Sequence, residues 1–479
     1  MERRAKIVAT IGPSCESEPM LEQLILAGMN VARLNFSHGT HEEHAARIVC
    51  IRRLSEKLGR PVGIMQDLQG PKIRVGTLNP ALDLVEGEIV QLHAEGHESP
   101  KSKEKQIPVA FAELFDSVSK DDRILLDDGH LFLRVVETHA KDLRAKVITG
   151  GKLSSHKGIN LPGVRLTIPG FTEKDRIDLA FGISQAVDYV AISFVRTPQD
   201  VMQVQEAMRE MDEQAGYPLI IAKLERPEAL ENLHEILHIS DGVMVARGDL
   251  GVEMPPETVP IAQKRIIEAA NRHSRIVITA TQMLDSMITN PLPTRAEASD
   301  VANAIFDGTD AVMLSGETAS GAHPVDAVQF MDRIVRSAED NMGEWGHYQI
   351  PDAPTGDDAA SMTRAARELA HDLNVTAVAV FTHTGRTGLL MSKARPRVPI
   401  LAFTPVTRSY GRMTLFWGVI PNLVPMSSTL RETVNVADKR LIASGLVQEG
   451  QQVVLISAFP VTMVRPSNMA LLHNVGEKL

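Results

Sequence analysis

Short apolar runs alternate with amphipathic stretches through the first two-thirds of the chain. Eight of these runs have the length and composition of buried strands. They cover residues 6–11, 30–36, 62–67, 189–195, 219–225, 242–246, 276–280 and 311–314. Residues 198–213 and 261–272 lie between them and repeat apolar positions at helical spacing. Alternation of this kind predicts a (β/α)8 TIM barrel in preference to a doubly wound sheet.

The third and fourth runs are too far apart for one connecting helix, and the pattern between them changes. Residues 88–93, 124–126, 131–136 and 145–149 alternate apolar and polar positions. Turn sequences separate them at Asn79-Pro80, Glu86-Gly87, Asp128-Gly129 and Gly150-Gly151. We therefore predict an all-β domain over residues 71–168, inserted in a barrel formed by residues 1–70 and 169–345. At the active-site face of the barrel, such an insertion could act as a lid.

The pattern changes again after the eighth run. Just before that run, Thr294 and Glu297 form a capping-box pattern, and Asp307-Gly308 should end the helix that they begin. A further helix leads to residue 345, and residues 351–356 have the proline-rich composition of a linker. Apolar runs then recur at 375–381, 400–403, 423–424 and 453–456. They predict a separate α/β domain over residues 346–479.

Composition narrows the classes of function. The chain of 479 residues exceeds the roughly 250–300 that a single core supports, so we expect several domains. A net charge of -10 without a basic stripe argues against nucleic acid as a partner. Cys15 and Cys50 lack metal-ligand spacing, which favours reduced thiols and a cytoplasmic location. No apolar stretch approaches the roughly 20 residues of a membrane helix, so no membrane partner is expected.

Candidate chemistry is concentrated at the carboxyl ends of the predicted strands, where barrel enzymes place their sites. Lys223 and Glu225 end the fifth run two positions apart, so their side chains should leave the strand on the same side. Asp249 follows the sixth run in Arg247-Gly248-Asp249. Two carboxylates beside a fixed ammonium group favour Mg2+ next to a migrating phosphoryl group. Taken singly, the Lys223–Glu225 pair is more often structural, and Arg247-Gly248-Asp249 is usually a turn.

Other strand ends carry polar side chains that suit the same chemistry. They are Arg33, Asn35, Ser37 and His38, then Asp67, Leu68, Lys72 and Arg74, and finally Thr281 and Ser315. Cationic groups neutralise charge on a phosphoryl group in transfer. The simpler alternatives are a surface role for Arg33, a core hydroxyl for Thr281 and a loop contact for His38. The chain has no G-x-S-x-G elbow and no Cys–His candidate, so covalent catalysis is not predicted. It also has no P-loop or protein-kinase signature, so a nucleotide would be bound in another way.

Long strings resemble the pyruvate kinase family over essentially the whole chain. They are KIVATIGPS (6–14), MNVARLNFSHGTH (29–41), DLQGPKIRVG (67–76), KGINLPG (157–163), TEKD (172–175), AKLERPEAL (222–230), SDGVMVARGDLGVE (240–253), ITATQMLDSM (278–287), PTRAEASDVANAIFDGTDAVMLSGETASG (293–321) and FTHTGRT (381–387). The resemblance implies transfer of the phosphoryl group of phosphoenolpyruvate to ADP, which gives pyruvate and ATP in glycolysis. It also implies a homotetramer.

The family implies roles for the charged strand-end residues. Lys223 would stabilise charge on the transferring phosphoryl group, and Arg33 would hold the substrate phosphate. Glu225 and Asp249 would ligate Mg2+ (or Mn2+). The substrate carboxylate would be received by backbone at Ala246, Arg247, Gly248 and Asp249.

The family also implies roles in proton delivery and nucleotide binding. Thr281 would lie beside the enolate carbon, in or near the path that delivers the proton, and Ser315 would lie nearby. Arg74 and Lys157, at the two roots of the inserted domain, would clamp nucleotide phosphates, with Asn35 close to the same ligand.

One residue departs from the pattern of many family members. Those members bind a monovalent cation through residues that correspond to Asn35, Ser37, Asp67 and the backbone of Leu68. They commonly have glutamate where this chain has Lys72. Because an ammonium group here would fill the position of K+ and repel a second cation, we expect weak or absent K+ dependence.

A second site is implied in the C-terminal domain, where the family binds a phosphorylated allosteric effector. The corresponding loop follows a predicted strand and begins a helix, so hydroxyls and backbone N–H groups could hold a phosphate. Its residues are Thr382, Thr384, Gly385, Arg386 and Thr387. The alternative is helix capping by Thr384 or Thr387.

Two other functions stay open. Some barrels bind pyruvate or phosphoenolpyruvate through Mg2+ and catalyse aldol cleavage or carboxyl transfer, which requires neither Arg74 nor Lys157. A catalytically inactive scaffold is the other alternative. It predicts damage at the catalytic positions, and all four are intact: Lys223, Glu225, Asp249 and Thr281.

Overall fold

A closed barrel of eight parallel strands forms the centre of the protein. The computed structural model describes residues 3–97, 103–127, 129–164, 170–211, 216–348, 356–373 and 375–477. The barrel begins with β1 Lys6–Ile11, α1 Glu18–Ala27, β2 Val31–Asn35, α2 His41–Leu58 and β3 Gly63–Asp67. The chain then leaves the barrel for an inserted β domain.

The inserted domain contains a six-stranded and a two-stranded sheet. Its elements are β4 Leu82–Leu84, β5 Ile89–Ala94, β6 Lys105–Val109, α3 Leu114–Ser117, β7 Arg123–Leu126, β8 Leu131–Thr138, β9 Asp142–Thr149, β10 Gly151–Leu153 and β11 Ile159–Asn160. Inward-facing apolar side chains form a core of their own, separate from that of the barrel. In the predicted turn Asp128-Gly129, Asp128 lies outside the described residues.

The barrel then resumes and closes. Its further elements are α4 Glu173–Ser184, β12 Tyr189–Ile192, α5 Pro198–Met211, β13 Leu219–Leu224, α6 Pro227–Glu231, α7 Leu233–Ile239, β14 Gly242–Ala246, α8 Arg247–Glu253, α9 Val259–Arg272, β15 Ile276–Ala280, α10 Arg295–Phe306, β16 Ala311–Leu314, α11 Gly316–Ala319, α12 Pro324–Asp340 and α13 Met342–Trp345. Strand β16 pairs with β1 and closes the barrel, which confirms the predicted fold. The predicted capping box is present, since Thr294 and Glu297 each accept a backbone N–H of the other.

The C-terminal domain is a five-stranded sheet with helices. Its elements are α14 Asp358–Asp372, β17 Ala377–Phe381, α15 Arg386–Lys393, β18 Ile400–Thr404, α16 Thr407–Arg412, β19 Val419–Leu423, α17 Leu430–Ala443, β20 Gln452–Ser457 and β21 Met469–Asn474. This separate α/β domain was predicted, but β19 begins earlier than the run at 423–424, and the edge strand β21 was not anticipated. The predicted linker at 351–356 lies outside the described residues except for Gly356.

The C-terminal domain packs against the amino ends of the barrel strands. Tyr189, at the start of β12, is fully buried, and its hydroxyl donates to the Arg412 carbonyl at 2.6 Å. A side chain at Gly63, at the start of β3, would lie only 2.2 Å from Thr414 Oγ1. One apolar cluster includes residues of both domains, among them Met65 and Phe416. The floor of the barrel is therefore shared with the C-terminal domain.

Within the described ranges, no helix combines the length and the apolar character needed to cross a bilayer.

Candidate active site

Lys223 lies at the centre of a buried ionic cluster at the carboxyl end of the barrel. Its Nζ lies 3.0 Å from Glu225 Oε1, 3.2 Å from Asp67 Oδ1 and 2.8 Å from Ser193 Oγ. Burial works to lower the pKa of Lys223, but Asp67 and Glu225 outweigh this effect and raise that pKa above its ordinary value. The ammonium group is therefore permanently charged and held from three sides.

Arg33 is the second fixed cation of the cluster. Its Nε donates to Asp67 Oδ2 at 2.6 Å, and its Nη1 donates to Thr10 Oγ1 at 2.9 Å. Burial works to raise the pKa of Asp67, but Lys223 and Arg33 hold that pKa below its usual range. Asp67 thus joins the two cations through one oxygen each, and both head groups are oriented by charge-assisted hydrogen bonds.

Glu225 and Asp249 form the acidic side of the site. Glu225 Oε2 accepts the backbone N–H of Phe194 at 2.8 Å, and its side chain is 2% exposed. Burial raises the pKa of Glu225 to about 7; Lys223 opposes the rise, and the charge of Asp249 adds to it. Glu225 is buried and lies near a second carboxylate, so Lys223 does not fully balance the negative charge of the two acids. A divalent cation would supply the missing positive charge.

The donor set fits a divalent ion that also contacts a ligand. No group of three or more His, Cys, Asp or Glu side chains in the described part of the chain could hold a metal by itself. A site made of Glu225 and Asp249 therefore offers two carboxylates from the protein. Mg2+ is commonly bound in this way, through one or two carboxylates together with substrate phosphates and water.

Thr281 has a strained backbone beside the start of α8. Its φ is 67° and that of Gln282 is 53°, a left-handed conformation that is rare for a β-branched residue. Thr281 Oγ1 accepts the Gly248 N–H at 2.7 Å, and Arg247 Nη2 donates to the Thr281 carbonyl at 2.8 Å. Arg247 also pairs with Asp300 at 2.5 Å. The Arg247 side chain therefore supports the strained turn.

Ser315 directly follows β16 and precedes α11. Its backbone N–H donates to Glu317 Oε2 at 2.7 Å, and Glu317 is almost fully buried. Thr318, one turn later, donates to the Thr10 carbonyl at 2.8 Å. These bonds fix the ends of β16 and β1 relative to each other.

A second group of cations surrounds His38. Burial lowers the pKa of His38, and the charges of Arg74, Lys72 and Arg33 lower it further. The structure therefore brings Lys72 to the side of the site that carries Arg33. An anion bound here would relieve repulsion among the positive groups.

The four predicted monovalent-cation ligands make contacts among themselves and with Ser193. Asn35 Oδ1 accepts the Ser37 N–H at 3.1 Å, and the Leu68 carbonyl accepts Ser193 Oγ–H at 2.6 Å. Asp67 is engaged by Lys223 and Arg33, as described above.

The two predicted nucleotide-binding cations at the roots of the inserted domain have partners of their own. Arg74 Nη1 donates to the His156 carbonyl at 3.1 Å. Lys157 Nζ pairs with Asp127 at 2.8 Å. Both side chains would have to change partners to contact a nucleotide.

The predicted effector loop lines a cavity of about 320 Å³ in the C-terminal domain. Gly385 has a φ of 86°, and its N–H donates to Thr382 Oγ1 at 3.1 Å. Thr384 Oγ1 accepts the Arg386 N–H at 3.4 Å, so the predicted capping is weak. Thr387 Oγ and Ser467 Oγ are 2.8 Å apart across the cavity wall, and Arg386 pairs with Asp357.

Sequence reasoning missed the end of the fourth barrel strand. Ser193 connects Lys223 to the Leu68 carbonyl, and the Phe194 N–H orients Glu225. Both residues lie at the end of the run 189–195, and a position at the end of a strand is the signal from which the other site residues were predicted. Thr10 lies at the predicted end of the first strand, but no role was predicted for it; in the structure it accepts a hydrogen bond from Arg33.

Comparison with known proteins gives a consistent result over the whole chain. The family model for the pyruvate kinase barrel domain matches residues 2–328, and that for the pyruvate kinase alpha/beta domain matches residues 360–473. A pyruvate kinase of Geobacillus stearothermophilus is 45% identical over 487 residues, which cover 100% of this chain and 81% of the relative. A pyruvate kinase of Agrobacterium vitis is 43% identical over 480 residues and is covered to 99%, as is this chain.

Proposed function

The chain belongs to the pyruvate kinase family of phosphotransferases, and we propose that it transfers the phosphoryl group of phosphoenolpyruvate to ADP, giving pyruvate and ATP in glycolysis. The observation that carries the proposal is the Lys223 ammonium, fixed 3.0 Å from Glu225 and 3.2 Å from Asp67. Phosphoryl transfer needs positioned positive charge more than covalent help from the protein.

Lys223 and Arg33 act on the charge of the phosphoryl group. Lys223 contacts the group in transfer and stabilises the negative charge that its oxygens carry in the transition state. Arg33 holds the substrate phosphate. Because both side chains are already oriented by Asp67, little reorganisation is needed when the substrate binds.

Glu225 and Asp249 hold Mg2+ (or Mn2+), which when bound neutralises phosphate charge and lowers the cost of bringing two anionic reactants together. The substrate carboxylate meets backbone amides between Ala246 and Asp249. The Gly248 N–H is donated to Thr281 in this conformation, and the amides of Arg247 and Asp249 begin the same helix.

Thr281 and Ser315 serve the second half-reaction, in which the enolate is protonated. Thr281 Oγ1 donates to the Ala280 carbonyl at 2.6 Å and accepts from Gly248, so its hydroxyl position is fixed. It lies beside the enolate carbon, in the path of the proton, and Ser315 orders water nearby. Ketone formation after protonation then favours ATP synthesis.

Arg74, Lys157 and Asn35 contact nucleotide phosphates when the inserted domain closes as a lid. The ion pair of Lys157 with Asp127 and the bond of Arg74 to His156 belong to the conformation without nucleotide. Lys157 is 41% exposed and Asp127 is 27% exposed, while Arg74 is half-buried and His156 is exposed. Because water reaches both pairs, exchange of partners costs little.

K+ dependence is weak or absent in this protein. In addition to burial, the charges of Lys72 and Arg33 both lower the pKa of His38, so Lys72 lies on the same side of the site as Arg33. Its ammonium group would compete with a monovalent cation at Asn35, Ser37, Asp67 and Leu68.

The active form of the protein is a cytoplasmic homotetramer.

The cavity in the C-terminal domain binds a phosphorylated effector through the loop residues Thr382, Thr384, Gly385, Arg386 and Thr387. The start of α15 supplies backbone N–H groups and hydroxyls for a phosphate. Arg386 would leave Asp357 for the effector.

A coupled assay with phosphoenolpyruvate and ADP tests the proposal directly. We expect ATP and pyruvate in equal amounts and a requirement for a divalent metal. Turnover of phosphoenolpyruvate or pyruvate by aldol or carboxyl chemistry without ATP would replace this proposal by the other barrel function.

A further inference from the structure

A second cavity, of about 400 Å³, lies where the barrel meets the C-terminal domain. Arginines and aromatic rings from both domains line it: Arg4, Arg367, Arg395, Arg397, Tyr348 and Trp417. It shares no lining residue with the effector cavity described above. Its volume is in the range that accommodates a small metabolite.

Buried N–H donors without partners are concentrated in the walls of this interdomain cavity. Among described residues, only six buried side-chain N or O atoms lack a hydrogen-bond partner, and Arg367 Nε, Arg395 Nε and Trp417 Nε1 are three of them. Arg395 is 8% exposed and Trp417 is 4% exposed. Leaving such donors unsatisfied is costly. A shift of these side chains that turned the donors toward an anion in the cavity would break no existing hydrogen bond of those atoms.

The buried charges next to the cavity are also unbalanced. Asp310 pairs with Lys393 through Oδ2 and with Arg395 through Oδ1, at 2.5 and 2.9 Å. One carboxylate thus serves two cations, and all three side chains are less than a tenth exposed. Arg395 stacks on Trp417 and Tyr348, with its guanidinium carbon 4.3 and 4.8 Å from the ring centroids. A buried net positive charge remains, held in place by aromatic rings.

Four acids temper the positive field but do not cancel it. Glu339 lines the cavity, and its carboxylate accepts the backbone N–H groups of Arg4 at 2.9 Å and Ala5 at 2.6 Å. Asp340 also lines it. Glu368 and Asp310 add two further carboxylates through their pairs with Arg367 and Arg395. Five cations, the four lining guanidinium groups and Lys393, therefore stand against four acids.

We propose that the interdomain cavity binds a phosphate group, as free phosphate or as a phosphate monoester. Guanidinium groups bind carboxylates and phosphates alike. Three unsatisfied N–H donors and an excess of cations suit a dianion with several acceptor oxygens better than a monoanionic carboxylate. Bound there, the anion would contact Arg395 from the C-terminal domain and Arg4 from the barrel. It would therefore join the two domains, independently of the effector loop and of catalysis.

Trp417 provides a direct readout, because the chain has only two tryptophans and the other, Trp345, is 59% exposed. In Trp345→Phe protein, fluorescence comes from Trp417 alone. We expect a saturable change on titration with inorganic phosphate or glycerol 3-phosphate, and none with acetate at equal ionic strength. The same titration in Arg386→Ala protein removes any contribution from the effector loop and should give the same curve.

Arg367→Gln should weaken binding of the phosphate probe about tenfold or more, since it removes a charge-assisted donor. The matched control is Arg209→Gln, an exposed arginine on α5, which should bind as before. Thermal unfolding of the phosphate-free variants establishes that both are folded. Tighter binding of the ester identifies an esterified ligand, and equal binding identifies free phosphate. A response that does not saturate, or equal loss in both arginine variants, overturns the proposal.

Discussion

Replacement of Lys223 by methionine should separate the two half-reactions. The change keeps an unbranched side chain and removes the charge that lies 3.0 Å from Glu225 and 3.2 Å from Asp67. Phosphoryl transfer should fall about a thousandfold, which is the loss expected when one preorganised electrostatic donor is removed, about 4 kcal/mol. Protonation of the enolate does not use the ammonium group and should fall less than about tenfold.

The free energy of unfolding of the Lys223→Met protein should fall by less than about 3–5 kcal/mol, which is the usual cost of removing one partner of a buried ion pair. Asp67 keeps its 2.6 Å bond to Arg33, so it is not left unpaired. Glu225 keeps the Phe194 N–H at 2.8 Å. Because the pKa of Glu225 is already raised to about 7 by burial, this carboxyl group can take up a proton when Lys223 is absent.

Two measurements on the same protein decide the matter. Phosphoryl transfer is followed with phosphoenolpyruvate and ADP, and enolate protonation by exchange of the methyl hydrogens of pyruvate in deuterium oxide, both at saturating Mg2+. Lys57→Met, at an exposed ion pair with Glu22 on the outer helices, is the matched control and should leave both rates unchanged. Equal loss of the two reactions in Lys223→Met would refute the role given to this lysine.

Replacing K+ by a bulky organic cation should change the rate less than about twofold, whereas Lys72→Glu should create a clear K+ requirement; a large loss in the unmodified protein would contradict this. Arg386→Ala should reduce the ratio of rates measured with and without a phosphorylated effector, and an unchanged ratio would move the effector site elsewhere. Burial lowers the pKa of Lys393 to about 8 from its ordinary 10.5. Because the unfolded chain binds this proton more tightly, the free energy of unfolding should rise with pH between those values, by about 3 kcal/mol. Denaturant titrations of Lys393→Met should show a flatter profile, and an unaltered slope would reject this assignment.

Local patterns predicted the barrel well because its strands are buried on both faces. Each of the eight strands begins or ends within three residues of its predicted run. The run 189–195 extends too far, since the chain turns at Phe194, where φ is 57°. This turn places Ser193 against Lys223, a contact that spacing within one strand cannot indicate.

Edge strands and long-range partners were less accessible to sequence reasoning. Strand β19 lies at an edge of the C-terminal sheet and contains Pro421, which weakens a strand pattern but is tolerated at an edge. Strand β21, at the opposite edge, begins with the apolar residues Met469, Ala470, Leu471 and Leu472, but these are only partly buried or exposed, and its one buried position is the polar residue His473. The partners of Lys157 and Arg386 come from distant segments, Asp127 and Asp357. Pairings of this kind follow from the folded chain alone.

Because the barrel floor and the C-terminal domain share one apolar cluster, we expect these two domains to unfold together. Met65 in the barrel and Phe416 in the C-terminal domain belong to the same apolar cluster. The hydroxyl of Tyr189, on β12, donates to the Arg412 carbonyl in the C-terminal domain. If the two domains were separated, each would expose the apolar side chains of this cluster to water, and we expect the fragments to aggregate. The boundary that composition marks along the chain is thus a boundary of topology, and one apolar interior extends across it.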